Sequence, residues 1–183
     1  MKKQPKITEK TKQKFVEVFC ELYNQKPIEK ISVQEIANKS GYNRSTFYQY
    51  FTDIYELLDA VENDLLNVIK EEVANKELSM HTIQDALHCL DKKEHLLVLN
   101  ALLGDYGSPR FLKRLKKEIT LNRLELNVPQ NHSLTPYLIE FYLSTSLSLF
   151  RLWLQRQKDL SSEEFFKLVD NLYSKGVTPY SRE

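Results

Sequence analysis

The chain has 183 residues, of which 42% are hydrophobic and 28% charged, a balance that excludes a disordered chain and fits a soluble protein with a sizeable core. Its two cysteines, Cys20 and Cys89, lie far apart, which excludes a disulfide framework and indicates a reducing cytoplasm. The net charge of +1 conceals a basic region: residues 1–52 hold ten basic and five acidic side chains, which indicates either contact with a polyanion or a hydrated lysine-rich terminus.

Apolar side chains recur at helical spacing along nearly the whole chain, and glycine is scarce. The first helix is predicted from Thr8 and ends before Pro27. Ser32 and Glu35 form a capping box that begins a second helix. Gly41 ends this helix, because glycine readily adopts the left-handed backbone conformation of a helix C-terminus.

Asn43 caps a short third helix that is predicted through Tyr50. Asp53 and Glu56 form a capping box for a long fourth helix, which extends to about Lys76. Five further helices follow, and their approximate limits are His81 to Leu90, Lys93 to Leu103, Ser108 to Leu126, Thr135 to Gln157 and Ser161 to Gly176. Nine helices and no convincing strand predict an all-α protein, with a small N-terminal domain over residues 1–52 and a larger domain over residues 53–183.

Two helices joined by a glycine-containing turn, at about residues 32–51, form a helix-turn-helix pattern. Apolar side chains in this segment can fix both helices against the first and fourth helices. The exposed face of the second helix is then left with polar and aromatic candidates: Arg44, Ser45, Thr46, Tyr48, Gln49 and Tyr50. Arginine, glutamine, serine and threonine can read base edges, whereas a tyrosine hydroxyl suits a phosphate oxygen.

The segment GYNRSTFYQYF, followed by a capped helix with paired leucines, resembles the DNA-binding domain of the TetR (tetracycline repressor) family of bacterial regulators. The resemblance covers residues 8 to about 65. It implies that residues 1–52 form a helix-turn-helix DNA-binding domain and residues 53–183 an effector-binding and dimerisation domain. It implies that Thr46 and Tyr48 contact phosphates. It also implies that base edges are approached by Arg44, Ser45, Gln49 and, from the preceding helix, Gln34. Many relatives have a lysine near the start of the fourth helix, where this chain has Ile54.

The helix predicted from Thr135 is apolar over about three-quarters of its circumference, and the last helix has a similar apolar excess. Such helices are covered on two sides, either by the core and a partner subunit or entirely within one monomer. The first alternative predicts a homodimer, with an interface formed by Leu147, Phe150, Leu154, Phe165, Phe166 and Val169.

The resemblance also implies a ligand pocket in the larger domain. Glu140 and Arg151 belong to a polar stripe on the helix from Thr135, and this stripe faces either the pocket or solvent. Four aromatic side chains are candidates for the pocket wall, with ordinary core packing as the alternative: Tyr106, Phe141, Tyr142 and Trp153.

Catalytic and metal-binding motifs are absent from the sequence, so neither an enzyme activity nor a cofactor is expected. His81, His88 and His95 recur every seven residues, which on a helix separates successive side chains by ~10.5 Å, too far for one metal ion. Charges at Glu140 and Arg151 interrupt the longest apolar stretch, so no membrane span is predicted.

The sequence therefore predicts a cytoplasmic, homodimeric transcription regulator. We expect a repressor that binds a pseudo-palindromic DNA operator and is released by a small-molecule effector. The alternative is a co-regulator of the same fold that acts through protein or ligand binding, without an operator of its own.

Overall fold

The computed structural model describes residues 5–74, 93–121 and 133–176. These residues form eight α-helices and one 3₁₀ turn at Ile28–Lys30, with no strand among them. The helices are α1 (Pro5–Tyr23), α2 (Val33–Ser40), α3 (Arg44–Phe47), α4 (Ile54–Ala74), α5 (Lys93–Leu103), α6 (Pro109–Leu121), α7 (Thr135–Gln155) and α8 (Ser162–Lys175). The all-α prediction is confirmed, and the helix predicted from His81 to Leu90 lies outside the described residues.

Helices α1 to α3 pack around a centre of aromatic rings, and we call them the helix-turn-helix unit. Phe15 of α1 lies 5.4 Å from the ring of Phe47 in α3, and Phe47 lies 5.6 Å from Phe51. Phe15 and Phe47 are fully buried. A helix as short as α3 is not stable by its own hydrogen bonds. Burial of Phe47 therefore fixes the position of α3.

The helix ends of this unit follow the signals in the sequence. The Ser32 side chain accepts a hydrogen bond from the Glu35 N–H, and Gly41 ends α2 with φ of 76°. Asn43 caps α3 in the same way as Ser32 caps α2. The Glu35 carboxylate does not complete the predicted capping box, since it pairs with Lys26 at 2.7 Å instead.

Helix α3 is shorter than predicted. Its α-helical part ends at Phe47, and the chain continues to Tyr50 in a tighter turn. In that turn the Gln49 and Tyr50 N–H groups donate to carbonyls three residues earlier in the chain. This tightening is common at helix C-termini.

The long helix α4 connects the helix-turn-helix unit to the rest of the protein. Asp53 caps its start, because its Oδ1 accepts from the N–H groups of Tyr55 and Glu56 at 2.8 Å. Ile54 is half-buried against the core. Helix α1 also packs directly on α5, and one hydrophobic core continues from Phe15 to Val169. The division near residue 52 remains a prediction, and this core crosses it.

Helices α7 and α8 form an antiparallel pair through aromatic stacking. The ring of Trp153 in α7 lies parallel to that of Phe165 in α8, with 4.5 Å between their centroids. The rings of Tyr142 and Tyr173 lie 4.4 Å apart further along the same pair. The Trp153 Nε1 donates to the Leu160 carbonyl at 2.8 Å and thereby fixes the connection between the helices.

The residues predicted to form a dimer interface pack within the core of the single subunit, which favours a packing role for them, and the interface itself stays a prediction. Phe166 is half-buried, and the other five are buried: Leu147, Phe150, Leu154, Phe165 and Val169. The opposite side of α7 instead exposes Tyr137, Phe141 and Leu152, with 75%, 60% and 51% of their surface accessible. We call these three residues the exposed stripe. Helical periodicity predicted two covered sides but did not indicate which one faces the core of the same subunit.

None of the described helices combines the length and apolar character needed to cross a bilayer.

Candidate nucleic-acid interface

The outer surface of α3 carries most of the side chains that the sequence assigns to DNA. Arg44, Ser45, Tyr48 and Gln49 are exposed, and Thr46 is half-buried. Phe47 anchors the opposite side of the helix in the core. The predicted reading face therefore points away from the core, where it can enter a DNA groove.

Tyr50 lies apart from these residues. Its ring is half-buried and its centroid is 6.1 Å from that of Phe15. Three residues after Phe47, the chain has returned to the core side of the turn. This placement favours a packing role for Tyr50 over the predicted contact with DNA.

Asn43 organises the start of the reading face. Its Oδ1 accepts from the Ser45 hydroxyl at 2.6 Å, and from the backbone N–H and hydroxyl of Thr46 at 2.8 and 2.9 Å. Both hydroxyl protons are therefore directed at Asn43. In this arrangement Ser45 and Thr46 offer only acceptor lone pairs to a ligand, so a phosphate contact requires their hydroxyls to rotate. The sequence indicated Asn43 as a helix cap but not as the centre of this network.

Gln34 lies on the exposed side of α2, as predicted. Its Nε2 donates to the Asn38 Oδ1 at 2.7 Å, one helical turn further on. This bond orients the Gln34 amide along α2. Asn38 was not a candidate in the sequence, although its spacing of four residues from Gln34 is the signal for such a pair.

The start of α4 has no basic side chain to offer a phosphate. Ile54 packs against the core, and Asp53 places a carboxylate at this helix end. The basic side chains of the first helix are partly engaged elsewhere, since Lys14 pairs with Glu17 at 2.9 Å. Lys2 and Lys3, which could compensate, lie outside the described residues.

Comparison with known proteins identifies this unit. Residues 16–61 match the family model described as bacterial regulatory proteins, tetR family. Over these residues the chain matches the TetR family. The matched segment contains all of α2 and α3.

Two known proteins are similar to this chain. The chain is 28% identical over 87 residues to an uncharacterized HTH-type transcriptional regulator, YvdT, of Bacillus subtilis (strain 168). That match spans 48% of the chain and 43% of the relative, less than half the length of either. The fold resembles that of a TetR transcriptional regulator from Streptococcus agalactiae 2603V, with a TM-score of 0.58, 20% identity and coverage of 90% and 93% of the two chains.

Clefts lie at three places among the described residues. A cleft of about 670 Å³ lies where the ends of α1, α5 and α7 meet, and Arg151 lines it. A second, of about 440 Å³, lies between α6 and α7 and is lined by Glu140, Ser144 and Arg151. The polar stripe predicted on α7 thus borders this second cleft. A third, of about 360 Å³, lies beside Tyr106 at the start of α6.

The four aromatic candidates for a pocket wall are distributed among different environments. Tyr106 borders the third cleft, and Phe141 belongs to the exposed stripe. Tyr142 and Trp153 are buried in the packing of α7 against α8. For Tyr142 and Trp153 this burial favours the core alternative that the sequence left open.

Among the described residues, no cluster of three His, Cys, Asp or Glu side chains could hold a metal ion. His81, His88 and Cys89 lie outside those residues. Cys20 is fully buried in α1, and burial raises the pKa of its thiol to about 12. A thiol in this environment is a packing group, not a nucleophile.

Proposed function

We propose that this TetR-family regulator is a homodimeric repressor that binds a pseudo-palindromic operator through α3. A small effector bound to the larger domain would then release it from DNA. The observation that carries the proposal is the exposed set of Arg44, Ser45, Tyr48 and Gln49 on a helix fixed by the buried Phe47.

Base recognition would begin with Arg44, the first residue of α3. A recognition helix contacts base edges with the residues near its N-terminus. A guanidinium can donate two hydrogen bonds to O6 and N7 of guanine, which contributes ~1–3 kcal/mol of discrimination between bases. Gln49 offers an amide that suits adenine, and Tyr48 a hydroxyl that suits phosphate.

Dimerisation would use the exposed stripe of α7. Tyr137, Phe141 and Leu152 fall within a sector of about 60° on the helix surface at ~100° per residue. The exposed Ser148 lies between Phe141 and Leu152 in this sector. Exposed apolar groups on one helix face can pair with their own copies across a two-fold axis. The two copies of α3 would then meet half-sites ~34 Å apart, or a multiple of that distance.

Ion pairs between α4 and α6 offer a route from effector to DNA. Arg110 pairs with Asp59, Arg114 with Glu62 at 2.5 Å, and Lys70 with Glu118 at 3.2 Å. A displacement of α6 would therefore carry α4 with it. Because α4 leads directly from the helix-turn-helix unit, such a displacement would alter the separation of the two α3 helices. An effector that binds the displaced arrangement more tightly would weaken operator binding.

Footprinting of the full-length protein on the DNA upstream of its own gene tests this proposal. We expect a protected, pseudo-palindromic site and tight binding of that duplex in fluorescence anisotropy. Arg44→Ala should weaken this binding at least fivefold, whereas Lys167→Ala, an exposed cation on α8, should not change it. Uniform, weak binding to operator and scrambled duplex alike would contradict the proposal and favour a co-regulator without its own operator.

A further inference from the structure

The third cleft lies at the junction between the helix-turn-helix unit and the larger domain, and we call it the junction cavity. The end of α1, the 3₁₀ turn, the first half of α4 and the start of α6 surround its volume of about 360 Å³. Three tyrosines, two carboxylates and one guanidinium carry the chemistry of its wall: Tyr23, Tyr55, Tyr106, Glu29, Glu62 and Arg110. Small-molecule sites have volumes upwards of ~300 Å³, so the cavity is large enough for a small organic ligand.

Glu62 is the unusual member of this wall. Its side chain is 1% exposed, and its Oε2 accepts from Arg114 at 2.5 Å and from Arg110 at 3.5 Å. Within the described part of the chain, no donor reaches the other oxygen, Oε1. A buried carboxylate oxygen without a hydrogen bond carries a desolvation cost that a new donor would relieve. The Oε1 of Glu62 is therefore an acceptor in the junction cavity that a ligand can supply with a hydrogen bond.

The charges around the cavity favour a cation. Glu29 and Glu62 line the cavity together with Arg110. Outside the wall Asp59 pairs with Arg110 and Arg114 with Glu62, so three carboxylates meet two guanidinium groups and one negative charge is in excess. The negative charges also act on the hydroxyl of Tyr23. Burial and then the charges of Glu62 and Glu29 raise its pKa. The faces of tyrosine rings attract ammonium groups as well. The three tyrosines thus strengthen the preference for a cation that the carboxylates create.

We propose that the junction cavity binds a small organic ammonium ion, a protonated primary amine on an apolar body. The ammonium N–H would donate to the Oε1 of Glu62, and the apolar body would lie among the tyrosines. Tyr55, Tyr106 and Arg110, which border the entrance, are 52%, 43% and 60% exposed, so they can turn aside without disturbing the core. A quaternary ammonium ion lacks the N–H donor, and a neutral alcohol lacks the charge.

An occupant of this cavity would contact both parts of the protein at once. Tyr23 belongs to α1, whereas Glu62 and Arg110 belong to the paired helices α4 and α6. An ammonium bound to Oε1 would attract the Glu62 carboxylate towards the cavity and would thereby displace α4 relative to α6. The cavity is thus the site of the effector, an extension that rests on the proposed function.

Isothermal titration calorimetry of the full-length protein without DNA tests the site. The probe is phenethylamine, compared with phenethyl alcohol and phenyltrimethylammonium. We expect the primary amine to bind at least tenfold more tightly than either analogue. Glu62→Gln, Glu29→Gln and Tyr106→Ala should weaken its binding, whereas Glu163→Gln on α8 should not. The Glu29 and Tyr106 variants keep the test informative if Glu62→Gln fails to fold, because both side chains are exposed.

Three results would contradict the proposed site. These are no binding of the amine, equal affinity for all three compounds, or an affinity for the amine that the cavity variants do not change. A second titration, with operator DNA, tests the role as effector. The amine should weaken operator binding by the wild type and have less effect on Tyr106→Ala. Binding of the amine without any change in operator affinity would overturn that role. Failure of the untreated protein to bind an operator would instead count against the proposed function.

Discussion

The Nη2 of Arg44 donates a hydrogen bond to the hydroxyl of Tyr48, 3.3 Å away and four residues along the chain. The guanidinium carbon also lies 5.9 Å from the centroid of the Tyr48 ring. The sequence assigned these side chains to different parts of DNA, one to a base and the other to a phosphate. In the free protein they are in contact, so Tyr48 orients the side chain that we propose to read the base.

Replacement of Arg44 by alanine should reduce operator binding more than binding to scrambled DNA. The loss on the operator should be ~1–3 kcal/mol, because a bidentate contact with guanine disappears. Base preference should relax at one position in each half-site. Gel-shift titrations of both duplexes over a salt series measure these effects. Equal losses on the two duplexes would instead assign base reading to Gln34, Ser45 or Gln49.

Replacement of Tyr48 by phenylalanine tests the pairing of the two side chains. The ring remains, but the hydroxyl that accepts from Arg44 and suits a phosphate is lost. We expect weaker binding to both duplexes, with little change in the salt slope because no cation is removed. The loss on the operator should be smaller in an Arg44→Ala background, as measured by a double-mutant cycle. Strictly additive losses would show that Tyr48 does not orient Arg44 in the complex.

Local signals in the sequence predicted the helix-turn-helix unit well. Ser32, Gly41 and Asn43 act within a few residues of the helix ends that they form, so their roles depend little on the rest of the fold. Ser161 and Glu164 likewise form the capping box that their spacing predicts. Such short-range hydrogen bonds can be inferred from residue type and spacing alone.

Long-range relationships could not be inferred in this way. Arg114 and Glu62 are separated by 52 positions in the chain, and no local pattern indicates that α6 packs beside α4. Leu147 and Phe141 illustrate a second limit, because both are apolar members of one helix. Only the packing of the neighbouring helices around α7 decides that Leu147 is buried in the same subunit while Phe141 remains exposed.

This difference between Leu147 and Phe141 leads to a prediction about the dimer. Phe141→Asp should separate the subunits with little loss of helix content, because the change adds charge to an exposed position. Leu147→Asp should unfold the protein or lower its melting temperature strongly, since it places a carboxylate in the core. Light scattering and circular dichroism distinguish the two effects. A monomeric wild type at micromolar concentration would contradict the dimer itself.

Cys20 should be inert towards thiol reagents in the folded protein. Its thiol is buried and has a pKa of about 12, so almost no thiolate forms at pH 8. The Cys89→Ser variant leaves Cys20 as the sole cysteine, and its reaction with a chromogenic disulfide at pH 8 measures the accessibility. We expect full reaction only in denaturant. Rapid labelling of the native variant would contradict the burial of this part of α1.

Loss of Arg114 should destabilise the protein far more than loss of Arg110. The carboxylate of Glu62 is buried, and Arg114 is its close partner at 2.5 Å, whereas Arg110 lies at 3.5 Å and is 60% exposed. Breaking a buried pair by removing one partner costs ~3–5 kcal/mol, since a charge remains without compensation. Exposed pairs such as Arg110–Asp59 contribute ~1 kcal/mol or less. Urea unfolding of Arg114→Met and Arg110→Met therefore compares a half-buried with an exposed partner of the same buried carboxylate.

A second change separates the charge effect from the loss of packing by the long Arg114 side chain. In the double variant Glu62→Leu/Arg114→Met, no carboxylate is left in the core, so most of the stability lost in Arg114→Met should return. Replacement of a buried ion pair by apolar residues of similar volume is often neutral or stabilising. If the double variant were as unstable as Arg114→Met, the cost would lie in the packing between α4 and α6. The unpaired carboxylate would then not be the cause.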